Sequence, residues 1–280
     1  MVRLTKSRSN LIKKKSYGIR KIILDISRHA GVGHIGPALS VADIIAVLYH
    51  GVMRMSPSAK KSGKHDRFIL SKGHAAAALY GALYQKKIIS GKQLFSFCTD
   101  GGILGVHPDY NPKLGIEMTT GSLGHGLAVA TGMAWELKRI YPRRTPRVFV
   151  LVSDAELNEG SVWETIIFAA HHKIGNLTVI VDDNGNQAFG KTRDVLRLEP
   201  LSEKFSVFGW NTKNVGGYDI SALFSALRQK PISSSKPSVI IAKTVAGYGV
   251  GFMEGKIEWH YLPITETLYK KALSDISRTL

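Results

Sequence analysis

The sequence predicts an α/β domain: a parallel sheet with helices on both faces. Two apolar runs and the segment between them carry that expectation. Residues 148–152 (VFVLV) are short, β-branched and uninterrupted, which suits a strand buried on both sides of a parallel sheet. Residues 177–181 (LTVIV) form a second such run. Between them, Val162, Ile166, Ala169 and Ala170 recur at helical spacing. The three segments make one β-α-β unit. Asp154, Glu156, Asn158 and Glu159 follow the first run, and Asp182, Asp183 and Asn184 follow the second. Both polar clusters therefore fall just beyond the carboxyl ends of neighbouring strands, where open α/β sheets bind ligands.

The remaining elements follow in order. Residues 1–10 are polar and basic and read as a lead-in, with residues 11–280 as a single domain. A helix begins at Leu11, its buried stripe formed by Ile19, Ile22, Ile23 and Ile26. Gly31–Gly36 then spells GVGHIG, formally G-x-G-x-x-G. A dinucleotide fingerprint follows a strand and opens a helix, with an acidic residue about 20 positions on. Here the preceding segment is helical by period, Pro37 follows, and no such acidic residue is present, so that reading is set aside. Residues 41–52 read as a second helix. Residues 68–70 form a short strand leading into SKGH (71–74), with a helix onward through Tyr84. GVHPD (105–109) precedes MTTGSLGHG (118–126), a glycine-rich loop opening a helix over 127–141. Beyond Gly190 the chain is irregular, with strands expected at 208–211 and 238–242 and a helix at 220–229 between them. The serine-rich stretch 231–237 reads as a loop, and residues 265–276 as a terminal helix.

Composition narrows the function. The chain has 280 residues and a single cysteine, Cys98, so neither a disulfide framework nor a cysteine metal site is expected. No apolar run approaches the length of a membrane span, and no secretory signal is visible, so a cytoplasmic location is the default. The net charge of +17 admits three partners: nucleic acid, phosphorylated ligands or an acidic protein. The cations are spread along the chain, and no nucleic-acid motif accompanies them, so a solvated basic surface is the expectation and a nucleic-acid role ranks last.

The two polar clusters suit a hard cation. Mg²⁺ (or Ca²⁺ or Mn²⁺) takes oxygen ligands: Asp154 offers a carboxylate, Asn184 an amide oxygen and the backbone near Asn186 a carbonyl, with a diphosphate to complete the shell. On spacing alone, Asp154 and Asn184 as plain strand-end residues remain an equal alternative.

At this point the sequence resembles a known family. SDAELNEGSVWE and VDDNGNQAFG are similar to the thiamine-diphosphate motif of transketolases, GDG-x-L-x-EG followed by DDNG. Ser153 and Ala155 replace the two glycines of GDG. GHIG resembles the family's GHPG loop, with Ile35 in place of proline; SKGH, GVHPD, TTGSLGHG and KTVAGYGVGFMEGKIEWH match further elements in family order, from about His29 to His260. The resemblance implies a parallel-sheet thiamine-diphosphate-binding fold. It implies that His34, His74, His107 and His260 cluster at the cofactor as proton-handling groups, His74 near and binding its diphosphate and His260 at the substrate end, that Gly121, Ser122 and Leu123 lie against the cofactor with Ala155 and Glu156, and that Asp154, Asn184 and Asn186 bind the metal. It covers only the diphosphate-binding part of a transketolase. The glutamate that activates the cofactor belongs to a pyrimidine-binding domain, and Glu159 resembles the residue supporting it across the interface. The resemblance thus implies the N-terminal subunit of a split transketolase, needing a C-terminal subunit, expected as α2β2, and acting on sugars or sugar phosphates. Another thiamine-dependent enzyme component, or a non-catalytic scaffold, are the alternatives.

Overall fold

The computed structural model describes residues 4–228, 235–278 and 280. Seven strands are described: β1 (Arg67–Leu70), β2 (Val148–Ser153), β3 (Leu177–Asp183), β4 (Asn186–Gln187), β5 (Gly190–Lys191), β6 (Asn211–Gly216) and β7 (Ser238–Lys243). Five form a sheet in the order β1-β2-β3-β7-β6, every pair parallel, and β4 and β5 form a small antiparallel hairpin. Strand side chains alternate between two cores, as a period of two requires. Phe68, Leu70, Phe149, Leu151, Ile180 and Ile240 pack with helices Lys6–Ala30, Ala76–Gln85 and Ile220–Arg228. Val148, Val150, Val152, Val179, Val181 and Val239 pack on the other face with helices His125–Ile140, Gly160–His171 and Leu201–Val207. Among the described residues no helix is long and apolar enough to cross a membrane.

The register fixes the site. Ser153 pairs with Asp182 and Asp182 with Ala242, so β2, β3 and β7 end level with one another. The loops leaving them start side by side.

Several boundaries differ from expectation. The first helix begins at Lys6, because the Thr5 side chain accepts the Arg8 N–H and caps a turn that carries no apolar stripe. Residues 41–52 are not one helix. Helices Ile35–Ser40 and Ala42–Val47 meet at Val41, and a wide π turn, Leu48–Val52, follows. The strand expected at 208–211 is absent. Helix Leu201–Val207 runs into Gly209, whose φ of 91° ends it, and Trp210 is buried with its indole N–H donating to the Ile166 carbonyl. The true strand, β6, is a polar edge strand (NTKNVG), which hydrophobic patterning does not mark. The irregular stretch after Gly190 includes helix Thr192–Val195. Of the expected loop at 231–237, residues 231–234 lie outside the described residues, as does Gln229 of the expected helix.

Candidate active site at the carboxyl ends of the strands

Loops from distant parts of the chain enclose a cavity of about 230 Å³ above β2, β3 and β7. Four of the ten histidines meet there. His34 lies 5.1 Å from His260, 5.7 Å from His74 and 5.8 Å from His107 between ring centroids, and His74 lies 5.1 Å from His260. Gly121, Leu123, Ala155, Asn184 and Asn186 share the wall. Each imidazole is held below its ordinary range. For His34 and His107 burial is the main cause. His74 is lowered well below that range by burial and then by Lys72 and the other imidazoles, and His260 is lowered to about 4 by burial and then by His34 and Lys72. The cluster is therefore neutral at pH 7.

His34 sits at φ 62°, a left-handed conformation rare outside glycine, and caps helix Ile35–Ser40. Its N–H donates to the His260 carbonyl at 3.2 Å, which ties the first loop to the last. Three polar atoms on wall residues are buried without a hydrogen-bond partner: His34 Nδ1, Asn186 Nδ2 and Gln187 Nε2. Native interiors seldom leave such atoms unpaired, so this grouping marks a place for a polar ligand.

Asp154 is 3% exposed. Its carboxylate accepts the Ala155 N–H, the Gly185 N–H and the Thr192 hydroxyl at 2.8–2.9 Å. Burial, then the charge of Asp182, raises it to about 7 against those hydrogen bonds. Asn184 is fixed at both ends of its amide: Nδ2 donates to Asp182 and Oδ1 accepts the Asn186 N–H. Asp154 and Asn184 are thus brought to adjoining strand ends.

Four sequence-predicted residues lie off the cavity wall: Asp154, described above, and Glu156, Ser122 and Glu159. Glu156 is fully buried and turned inward, accepting Ser71 Oγ at 2.5 Å and the Gly124 N–H at 2.9 Å. It clamps the glycine-rich loop to β2 rather than facing a ligand. Ser122 lines a neighbouring hollow with His107 and His125. Glu159 is exposed at the start of helix Gly160–His171, close against Gly124, where a Cβ would lie 2.9 Å from that of Glu159. The φ of 86° at Gly124 and this close approach explain the glycine there.

Sequence reasoning missed the hub beneath the cavity. The buried Asp182 carboxylate accepts Lys72 Nζ (2.5 Å), Ser40 Oγ (2.6 Å), Thr244 Oγ1 (2.5 Å) and Asn184 Nδ2 (2.8 Å). One carboxylate thus joins a helix and three loops. A charge inside an apolar strand was the available signal, because a buried carboxylate must be paired. Gln187 and Lys256 also line the cavity and were not singled out.

An open parallel sheet whose carboxyl-end loops close over a histidine-lined cavity is a ligand-binding domain of the enzymatic α/β type. Residues 12–274 match a family described as transketolase, thiamine diphosphate binding domain. The chain is 35% identical over 260 residues to the 6-deoxy-6-sulfo-D-fructose transketolase subunit SqwG of Clostridium sp. (strain MSTE9), covering 93% of this chain and 94% of that one. It is also 35% identical to an apulose-4-phosphate transketolase subunit from Phocaeicola vulgatus, over 93% of this chain and 92% of that one. The solved transketolase of Campylobacter jejuni superposes with a TM-score of 0.87 at 29% identity, over 96% of this chain and 43% of that structure. The chain belongs to the transketolase family, a family of transferases, as its thiamine-diphosphate-binding domain. It spans less than half of the solved enzyme but nearly the full length of the two named subunits.

Proposed function

We propose that this chain is the thiamine-diphosphate- and Mg²⁺-binding subunit of a two-chain transketolase. The reaction is transfer of a two-carbon ketol unit from a ketose or ketose phosphate to an aldose or aldose phosphate, in the cytoplasm. The observation that carries this reading is the neutral four-histidine cavity with three unpaired polar atoms in its wall.

The residues present fit the cofactor. Asp154, Asn184 and the backbone near Asn186 would hold the metal and, through it, the diphosphate. A divalent cation beside Asp154 would keep its carboxylate ionised against the burial that otherwise raises it to about 7. Ser153 and Ala155 do not obstruct the site through strain, since neither has a positive φ. The Ser153 hydroxyl turns inward to accept the Glu156 N–H at 3.0 Å. When bound, thiamine diphosphate supplies a carbon nucleophile and an electron sink for the two-carbon unit. The chain's own part is proton handling. His34, His74, His107 and His260, held neutral, accept protons from substrate hydroxyls or donate hydrogen bonds to substrate oxygens.

Two relatives that this chain nearly spans are named as subunits, which supports a second chain; in this reading that chain bears the pyrimidine-binding domain and the pair assembles as α2β2. By the same reading Glu159, exposed beside the glycine-rich loop, contacts that chain. Calorimetric titration of thiamine diphosphate with Mg²⁺ into this chain, alone and mixed with its pyrimidine-domain partner, tests the reading. Tight binding and ketol transfer only in the mixture are expected. A stable complex that binds no cofactor would make the chain a scaffold instead.

A further inference from the structure

We propose that a basic groove at the opposite end of the sheet binds an acidic polypeptide segment bearing apolar side chains. The groove opens where β1, β2 and β3 begin, among Arg54, Arg147 and Asn176, whereas the cofactor cavity lies where the strands end. The six residues of β2 set the two apart by about 20 Å. No group in the groove reaches the chemistry.

Its size fits a chain rather than a metabolite. The volume is about 1810 Å³, above the roughly 300–1,000 Å³ of small-molecule sites. Among the described residues its lining holds eleven Lys and Arg side chains and no Asp or Glu. Arg54 and Arg147 share the buried Asp66 beneath them. None of the other nine has a carboxylate partner among the described residues. They find substitutes: Arg8 and Arg228 lie over the Phe224 ring at 5.5 and 5.4 Å, and Lys138 donates to the Lys173 carbonyl at 2.9 Å. Cations gathered this way repel one another, and an anionic partner removes that cost. In the groove's own lining His50 is lowered to about 4, chiefly by burial and then by Lys15, which lies outside the lining, and Lys86 within it.

The kind of polyanion follows from what lies between the cations. Val52, Met53, Met55 and Ile88 form a half-buried apolar floor. Methionines in such a floor adapt to varied apolar side chains. Grooves built for single-stranded nucleic acid hold the phosphates with cations and add aromatic platforms on which the bases stack. Among the described residues the one Phe, Tyr or Trp in the lining, Tyr49, is 3% exposed and offers no face. A cationic rim over an apolar floor therefore matches a segment in which Asp or Glu flanks Leu, Ile or Met.

The test is fluorescence anisotropy on the whole chain with three labelled probes: a Glu/Leu peptide, an all-Glu peptide and oligothymidylate of equal charge. The Glu/Leu peptide is expected to bind most tightly, and more weakly as salt rises from about 50 to 200 mM. Reversing three rim charges, Lys86→Glu, Lys113→Glu and Arg144→Glu together, should weaken it by about 30-fold. Reversing Lys13, Lys92 and Lys271, which lie outside the groove, changes net charge equally and should have less than about a threefold effect. Met55→Ser should weaken the Glu/Leu peptide but not the all-Glu peptide, and it decides the matter if the triple variant melts early. Equal losses in the two triple variants would mean that net charge alone binds the peptide and would overturn the groove. Tighter, groove-dependent binding of oligothymidylate would overturn the polypeptide assignment.

Discussion

Asp154 stands at the centre of the residue scale. Its carboxylate takes three hydrogen bonds from its own chain, so removing it alters both the turn and the proposed metal site. Asp154→Ala should weaken Mg²⁺-dependent thiamine diphosphate binding by at least about 100-fold, measured by calorimetry. Unchanged affinity would remove Asp154 from the site. The histidines make a separate prediction about acid. The folded pKa values of His50 and His260, about 4, lie below the ordinary imidazole value of 6.5. The unfolded chain therefore binds protons that the folded chain refuses. Stability is complete above about 6.5 and is lost as pH falls toward about 4. Urea midpoints across that window should fall, and His260→Gln should flatten the decline; an unchanged slope would mean that His260 is solvated in the folded chain. Most of these residues were legible, because His34, His74, His107 and His260 each sit in a short glycine-containing motif. The left-handed His34 was not. A φ value is set by where His260 returns to meet the loop, more than two hundred residues later.

At the scale of elements, the organising feature is the Asp182 hub. It links the helix Ile35–Ser40, the loop after β1, the loop after β3 and the loop after β7. Lys72 and Asp182 are both fully buried. Lys72→Met leaves an unpaired buried carboxylate and should cost about 3–5 kcal/mol in urea denaturation. A loss under about 1 kcal/mol would show that the three remaining donors suffice. The sequence marked both motifs but not their union, because patterning reports which face a residue takes and not which distant charge it meets. The same limit explains β6. A strand of NTKNVG carries no apolar period, and its place at the edge is decided by β7 pairing beside it. Buried strands such as β2 were plain, since an uninterrupted β-branched run has few other homes.

For the whole molecule, one sheet is the floor of two cores. Ile23 lies in one and Ile166 in the other, both fully buried. Because the strands are shared, neither core should melt alone. Ile23→Ala and Ile166→Ala are each expected to cost about 2–5 kcal/mol and to shift a single calorimetric transition. Two separated transitions in either variant would divide the chain into independent units. The cofactor cavity and the basic groove occupy opposite ends of this sheet, so ligands can occupy both at once.

The cavity draws its wall from residues as far apart as His34 and His260. During synthesis at about 5–20 residues per second, the first of these emerges roughly 10–45 s before the last. Throughout that interval the nascent chain holds most of the ligand-binding loops and cannot close them. On the proposed function, cofactor therefore acts only on finished chains assembled with their partner: it lengthens the lifetime of that complex and gives no help to truncated chains, by an amount that rises with the free cofactor the cell supplies. A cell starved of thiamine would be expected to lose this protein through turnover before it lost the messenger that encodes it.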